Sequence, residues 1–350
     1  MKGLVIRGSR NIFTVKPLDS PPRDNENPDD KEESPSTPFL YECRIKGKVL
    51  KLDKDCYNPL APGDIVYVEL EDDHCGKGMI VGIEPRRNMF TRFNRKGRTT
   101  QILAGNADQI VCITSFGSPP FRPRFIDRVL LQAEASGIKA LIVVNKADLY
   151  GDREKQNNDE FTEIENRLAD YRRIGYPVLY VSVKTGEGLD ELRLALSKRL
   201  SVFIGQSGVG KSSLINILLP EAQQKTGVLN EKYDRGNHTT VLSQLFEGDT
   251  PPSGDAGGDI KCPSSFRLTI VDTPGVRQLV PDGIAVGDIA LYMKEFAPLA
   301  LRCDFGSSCS HTNEAGCKIL EALEEGNIHP DRYESFLRIK DEILRDRGVK

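Results

Sequence analysis

A glycine-rich stretch, Gly205-Gln206-Ser207-Gly208-Val209-Gly210-Lys211-Ser212-Ser213, follows the apolar run 202 to 204 and opens a segment of helical spacing at 211 to 219. Few folds accommodate that strand-loop-helix context. The backbone N–H groups of such a turn cradle phosphates at a helix N-terminus, where the dipole favours negative charge. Gly205 and Gly210 permit the turn and the close approach. Lys211 is expected to reach the β- and γ-phosphates, and Ser212 to place its hydroxyl on Mg2+. The loop alone does not choose between ATP and GTP. Well before it in the chain comes Asn145-Lys146-Ala147-Asp148, at the carboxyl end of the continuous apolar run ALIVV, residues 140 to 144. Open α/β sheets bind ligands at that end of their strands. The Asp148 carboxylate can accept from the guanine ring N–H and exocyclic amine, which adenine cannot donate, and sites built on such donors reject analogues lacking them by about 10⁴ to 10⁵. Asn145 is expected to bond the base edge and brace the loop, and the Lys146 stem to cover the ring. A base motif ahead of the phosphate loop reverses the usual order, so the sequence predicts a circularly permuted P-loop domain that takes GTP.

Three further segments fit that domain. Ser182-Val183-Lys184 ends the run 178 to 182 and suits a second base loop, where a backbone N–H reads the guanine oxygen; an ordinary polar strand-ending turn fits equally well. Asp272-Thr273-Pro274-Gly275 follows the apolar run 268 to 271, placing an acid to orient Mg2+ and a glycine N–H to face the γ-phosphate. Between them lies Gly236-Asn237-His238-Thr239-Thr240, where Thr240, with Thr239 as the alternative, is expected to complete the Mg2+ shell. Val276 cannot orient water, so another group must.

Near the C-terminus, Cys303, Cys309, His311 and Cys317 bring together three of eight cysteines and one of four histidines. That donor set is what one tetrahedral, structural Zn2+ requires, with no open position for catalysis. Cys43, Cys56, Cys75, Cys112 and Cys262 show no grouping and read as small apolar residues or idle thiols.

The rest of the chain divides around these motifs. Five short runs between residues 4 and 83 with Gly or Pro between them suit a small β-barrel, an OB-fold first and an SH3-like barrel second. Residues 19 to 38 are acidic and proline-rich and read as a disordered insertion in it. Residues 86 to 98 concentrate Arg86, Arg87, Arg92, Arg95, Lys96 and Arg98 around Phe90 and Phe93. That pattern suits phosphate neutralisation with base stacking, or a solvated linker whose phenylalanines pack inward. A βα alternation then runs to residue 271, interrupted at 249 to 264, and the remainder is helical. The expected units are a barrel over 1–85, a basic linker over 86–104, the permuted GTPase domain over 105–283 and a zinc-binding helical domain over 284–350. A formal net charge of −3 carries no global signal for nucleic acid, and no apolar run is long enough to span a bilayer. The opening residues lack the apolar core of a signal peptide, so a cytoplasmic protein is expected.

Taken together, NKAD ahead of GQSGVGKSS, GNHTT, DTPG with a following apolar residue, and the Cys-Cys-His-Cys cluster resemble the circularly permuted ribosome small-subunit-dependent GTPase A family over nearly the whole chain. The resemblance implies an OB-fold, a permuted GTPase and a zinc domain acting late in assembly of the small ribosomal subunit, with hydrolysis stimulated by that subunit. It implies GTP or GDP, the 30S subunit and its 16S rRNA as partners of a monomer, with no membrane. It places the family's catalytic histidine at His238. The acidic insertion and Asn237 depart from the family pattern. A non-catalytic GTP-gated rRNA-binding scaffold and a P-loop ATPase or kinase are the competing readings.

Overall fold

The computed structural model describes residues 1–9, 11–19, 39–47, 56–71, 76–150, 159–220, 243–250, 265–273 and 279–347. Most of the acidic segment, 20 to 38, lies outside them, as do Cys75 and Cys262.

Five strands, β1 (Lys2–Ser9), β2 (Ile12–Pro17), β3 (Tyr41–Ile45), β4 (Ile65–Leu70) and β5 (Lys77–Ile83), follow the β-patterned runs of the sequence. They pair in the order β1-β2-β3-β5-β4, and β4 returns to β1. The β3–β5 pair is parallel and the other pairings are antiparallel. This closed five-stranded crossover barrel is the OB-fold arrangement expected first. Val5, Phe13, Val15, Cys43, Val66, Val68 and Ile80 fill it, because alternate residues of each strand point inward. A bulge between Val5 and Arg7 breaks that alternation in β1.

The segment expected to be a linker instead carries a hairpin, β6 (Met89–Asn94) and β7 (Thr99–Gly105). Phe90 is fully buried, so it does not stack on an unpaired base. Most of the basic residues there are occupied. Arg86 donates Nε and Nη2 to the two carboxylate oxygens of buried Asp64, each at 2.7 Å. Arg87 pairs with Asp108 at 2.9 Å, and Arg95 with Glu342 and Asp346 at 2.6 and 2.9 Å. Lys96 and Arg98 remain exposed at the hairpin turn. The charge is concentrated here as the sequence shows, but much of it holds the hairpin in place.

The central sheet runs β10-β9-β8-β11-β13-β12, built from β8 (Gln109–Ser115), β9 (Lys139–Asn145), β10 (Val178–Tyr180), β11 (Leu200–Gly205), β12 (Gln244–Thr250) and β13 (Phe266–Asp272). Every neighbouring pair is parallel except β12–β13. Helices α1 (Pro123–Ala135) and α2 (Asp159–Ile174) cover one face, where Ile126, Val129, Leu130, Phe161 and Leu168 join a buried cluster. Helices α3 (Leu189–Leu196) and α4 (Lys211–Leu218) cover the other with Leu192, Leu196, Leu214 and Leu218. Parallel strands buried on both faces explain the near-continuous apolar runs of the sequence.

The C-terminal module contains α5 (Lys318–Glu324) and α6 (Pro330–Arg347), and packs Ile289, Phe296, Phe336, Ile339 and Ile343 around the three clustered cysteines. It docks on α1 through Asp127, which is wholly buried. Arg332 donates to Asp127 at 2.8 Å and to Glu295 at 2.5 and 2.9 Å; Arg167 and Tyr171 reach Asp127 at 3.2 and 2.6 Å, and the Ser335 hydroxyl completes the shell. Burial alone pushes the Asp127 carboxyl up, but Arg332 and Arg167 outweigh it and hold the group below the usual carboxylate range. Among the described residues no helix is long and apolar enough to cross a membrane.

Candidate nucleotide site and metal centre

The motif segments converge because each leaves the carboxyl end of a parallel strand: NKAD from β9, Ser182 beyond β10, the phosphate loop from β11, and Asp272 with Thr273 from β13. Permutation changes the order in which the chain visits those strands and leaves their adjacency intact. Gly210 caps α4 with φ +90° and Gly208 has φ +87°, the left-handed region that glycine enters without strain. The approach is also close. A Cβ on Gly210 would stand 2.2 Å from Asn145 Nδ2, and one on Gly205 2.6 Å from the Ile113 carbonyl oxygen.

Asn145 is 2% exposed and donates Nδ2 to the Val209 carbonyl at 2.9 Å, tying the NKAD loop to the phosphate loop. Its Oδ1 is buried without a hydrogen-bond partner among the described residues. Lys146 takes φ +63° and donates Nζ to the Gly208 carbonyl at 3.0 Å and to the Ser118 carbonyl. The Ala147 N–H donates to the Val181 carbonyl at 3.0 Å. Asp148 is oriented by the Ser182 hydroxyl at 2.7 Å, with Lys184 Nζ 3.8 Å from its other oxygen. The Ser182 N–H is committed to the Glu187 carbonyl at 2.9 Å. Ser182 itself therefore acts through its side chain, which leaves the backbone donor expected of this loop to Val183 or Lys184.

Lys211 is nearly buried and donates Nζ to Asp272 Oδ1 and to the Thr273 carbonyl. Burial pushes the Asp272 carboxyl above its ordinary range and Lys211 offsets part of that rise. The phosphate-loop lysine is thus neutralised by the acid expected to orient Mg2+. Ser212 and Ser213 are exposed at the start of α4, and Gln206 and Ser207 are accessible in the loop. Thr240, Thr239, His238, Gly275 and Val276 lie outside the described residues.

Cys303, Cys309, His311 and Cys317 are all buried, and their ligand atoms lie within 4.8 Å of one another. A metal with arms of about 2.3 Å to sulfur and about 2.0 Å to nitrogen sets tetrahedral edges of about 3.8 Å between sulfurs and about 3.5 Å from sulfur to nitrogen. The distances here are 3.9 Å from Cys303 Sγ to Cys317 Sγ, and 3.5 Å from each of them to His311 Nδ1. The cluster fits a metal ion. The Tyr333 hydroxyl donates to the His311 carbonyl at 2.8 Å, fixing that segment of the chain. Cys43 and Cys112 are buried thiols, and burial pushes the Cys43 group up to about 12, so the reading of small apolar residues holds for them.

Two residues of structural weight, Asp127 and Gln244, belong to no motif of the sequence. Asp127 sits on the apolar face of α1 between Ile126 and Val129, a misplaced charge that signals a buried partner without naming it. Gln244 begins β12 in a stretch of weak periodicity and gave no signal at all.

A family model described as RsgA GTPase matches residues 83–280, more than half of the chain. A small ribosomal subunit biogenesis GTPase RsgA from Borreliella burgdorferi is 36% identical over 339 residues, covering 97% of this chain and 95% of that one. Its counterpart from Chlorobaculum parvum is 38% identical over 293 residues, covering 82% and 86%. The crystal structure of YjeQ from Thermotoga maritima superposes with a TM-score of 0.64 at 25% identity over 98% of both chains. YloQ, described as a circularly permuted GTPase, gives 0.62 at 26% identity over 100% of this chain and 96% of its own. With the permuted strand order, the converging motif loops and this likeness over nearly its full length, the chain belongs to the RsgA GTPase family.

Proposed function

We propose that the protein hydrolyses GTP to GDP and phosphate on the small ribosomal subunit, in a subunit-stimulated manner, late in the assembly of that subunit. The observation that carries the nucleotide assignment is the Asp148 carboxylate, held by the Ser182 hydroxyl in a loop that Asn145 and Lys146 fasten to the phosphate loop. Asp148 then recognises the guanine N–H groups, the Lys146 stem lies along the ring, and the N–H of Val183 or Lys184 meets the guanine oxygen. The loop from Gly205 to Ser213 supplies the phosphate cradle. Mg2+ bound with the nucleotide supplies neutralising charge to the phosphates, and Ser212, Asp272 and Thr240 are the residues assigned to it. On binding, Lys211 exchanges the Asp272 carboxylate for phosphate oxygens. His238 is assigned to position the attacking water, since Val276 offers no group for it. Three thiolates and one imidazole select Zn2+ among common ions, in a closed structural site.

The ribosomal reading is supported by the names of the relatives, each a small ribosomal subunit biogenesis GTPase. Exposed Lys96 and Arg98 at the hairpin turn are suited to phosphates of 16S rRNA. The cytoplasm, where bacteria build small subunits, is the compartment this implies.

Asp148→Asn tests the base assignment. It exchanges an acceptor for a donor against the guanine amine, so preference should move from GTP toward XTP by about two orders of magnitude or more. Unchanged GTP affinity removes the assignment and reopens the ATPase reading. Multiple-turnover phosphate release with and without small subunits, on the parent protein, separates a stimulated hydrolase from a GTP-gated scaffold.

A further inference from the structure

Among the described ladder pairings, one joins the barrel to the nucleotide core. β1 pairs antiparallel with β12 through Arg7 and Gln244, and Gln244 stands opposite Asp272 across the β12–β13 ladder. Asp272 is itself in register with Phe203 of β11, the strand that enters the phosphate loop. A single cross-strand row therefore runs from Arg7 through Gln244 to Asp272 and Phe203. The barrel is anchored one strand away from the carboxylate that holds Lys211.

Two side-chain features strengthen that anchor. The bulge in β1 sends Val5 into the barrel interior, while Ile6 joins the core cluster that contains Leu245 of β12, Val271 of β13 and Leu279 just past the DTPG segment. On the adjacent barrel strand, Lys16 Nζ pairs with Glu247 of β12, the two side chains 21% and 19% exposed. The barrel also holds the hairpin, through Arg86 on Asp64 and through Asn58 on Ile102, but its link to β12 is narrow. β12 is the edge strand of the core sheet, and a short edge pairing can tilt or slide without breaking the parallel strands behind it.

We infer that Ile6, Arg7, Lys16 and Glu247 make the barrel a positioning element for hydrolysis. Displacement of the barrel by a bound partner passes through β12 to Asp272, and the nucleotide's hold on Asp272 passes back to the barrel. This rests on the GTPase reading above. Reciprocity is required, because a coupling free energy acts equally in both directions. It supplies a readout that needs no ribosome.

The test uses the full chain and follows amide hydrogen exchange over residues 2–9 and 244–250 with Mg2+ and either GDP or a non-hydrolysable GTP analogue. In the parent protein, exchange should differ between the two nucleotides by about fivefold. Lys16→Glu and Glu247→Lys should each abolish that difference while leaving nucleotide affinity within about twofold, and the double charge swap should restore it. Glu247→Gln removes the charge with little change of shape and should show the same loss if a reversed charge disturbs folding. Subunit-stimulated turnover should fall in the single variants and return in the double. Equal exchange in both nucleotide states of the parent protein, or single variants that keep the difference, overturns the coupling. A parent protein whose exchange follows the nucleotide but whose turnover ignores small subunits overturns the ribosomal reading and upholds the coupling.

Discussion

The barrel and the C-terminal module flank the same core and meet it differently at its two sides. The barrel holds the hairpin through Arg86 on buried Asp64, but it meets β12, the strand beside Asp272, only through a backbone pairing, one aliphatic side chain and one ion pair at a sheet edge. The C-terminal module sinks Arg332, 1% exposed, against wholly buried Asp127, with Glu295, Arg167, Tyr171 and Ser335 satisfying the remaining groups. A backbone ladder at an edge yields gradually, because water can replace each bond as it opens. A buried ion cluster does not, since a charge left there without its partner costs several kcal/mol. The difference distinguishes two contacts: the β1–β12 edge is suited to graded movement, whereas the Asp127 cluster holds its module in a single orientation.

Removing the metal should have the largest effect and should fall on one side of this comparison. Ligation by such a cluster contributes on the order of 10 kcal/mol to the fold that holds it. Chelation, or Cys309→Ser, should therefore unfold the C-terminal module while the barrel and the nucleotide core, which have their own apolar clusters, keep their structure. Limited proteolysis should cleave after about residue 284 and spare guanine-nucleotide binding. Metal analysis finding well under one ion per chain would remove the site.

Asp127→Asn attacks the docking itself. It leaves Arg332 and Arg167 buried against a neutral amide, at a cost of about 3 to 5 kcal/mol. Calorimetry should resolve a separate transition for the released module; a single unchanged transition would mean the cluster does not hold it. The same contact has a defined pH dependence. The folded Asp127 carboxyl lies below its unfolded value, so its stabilisation is fully present above the ordinary carboxylate range and is lost as pH falls through the depressed folded value. Near-UV circular dichroism should show the interface intact at pH 5 and loosening only in stronger acid. Arg95→Ala gives the smallest effect. Its guanidinium pairs with Glu342 and Asp346 yet is 44% exposed, so the loss should stay near about 1 kcal/mol in denaturant titration. A loss as large as that of Asp127→Asn would show that exposed pairs share in the lock and would erase the contrast.

The loops and the cluster that form the candidate sites were legible in the sequence because each is local: GQSGVGKSS and NKAD are contiguous, and the cysteine-histidine cluster falls between residues 303 and 317. The parallel strands were legible too, since burial on both faces writes itself as runs such as ALIVV. What tertiary structure alone decided are the long-range pairings. The hairpin at 89 to 105 was hidden by its charge, because the acids that occupy Arg95 lie far along the chain: Asp346 is 251 residues away. Phe90 faces inward for the same reason, the interior it enters being made by other elements. Barrel closure between β1 and β4, and the row from Arg7 to Asp272, leave no local period to read. Local chemistry is encoded where it acts, whereas the contact between two distant segments is a property of neither until the chain has folded.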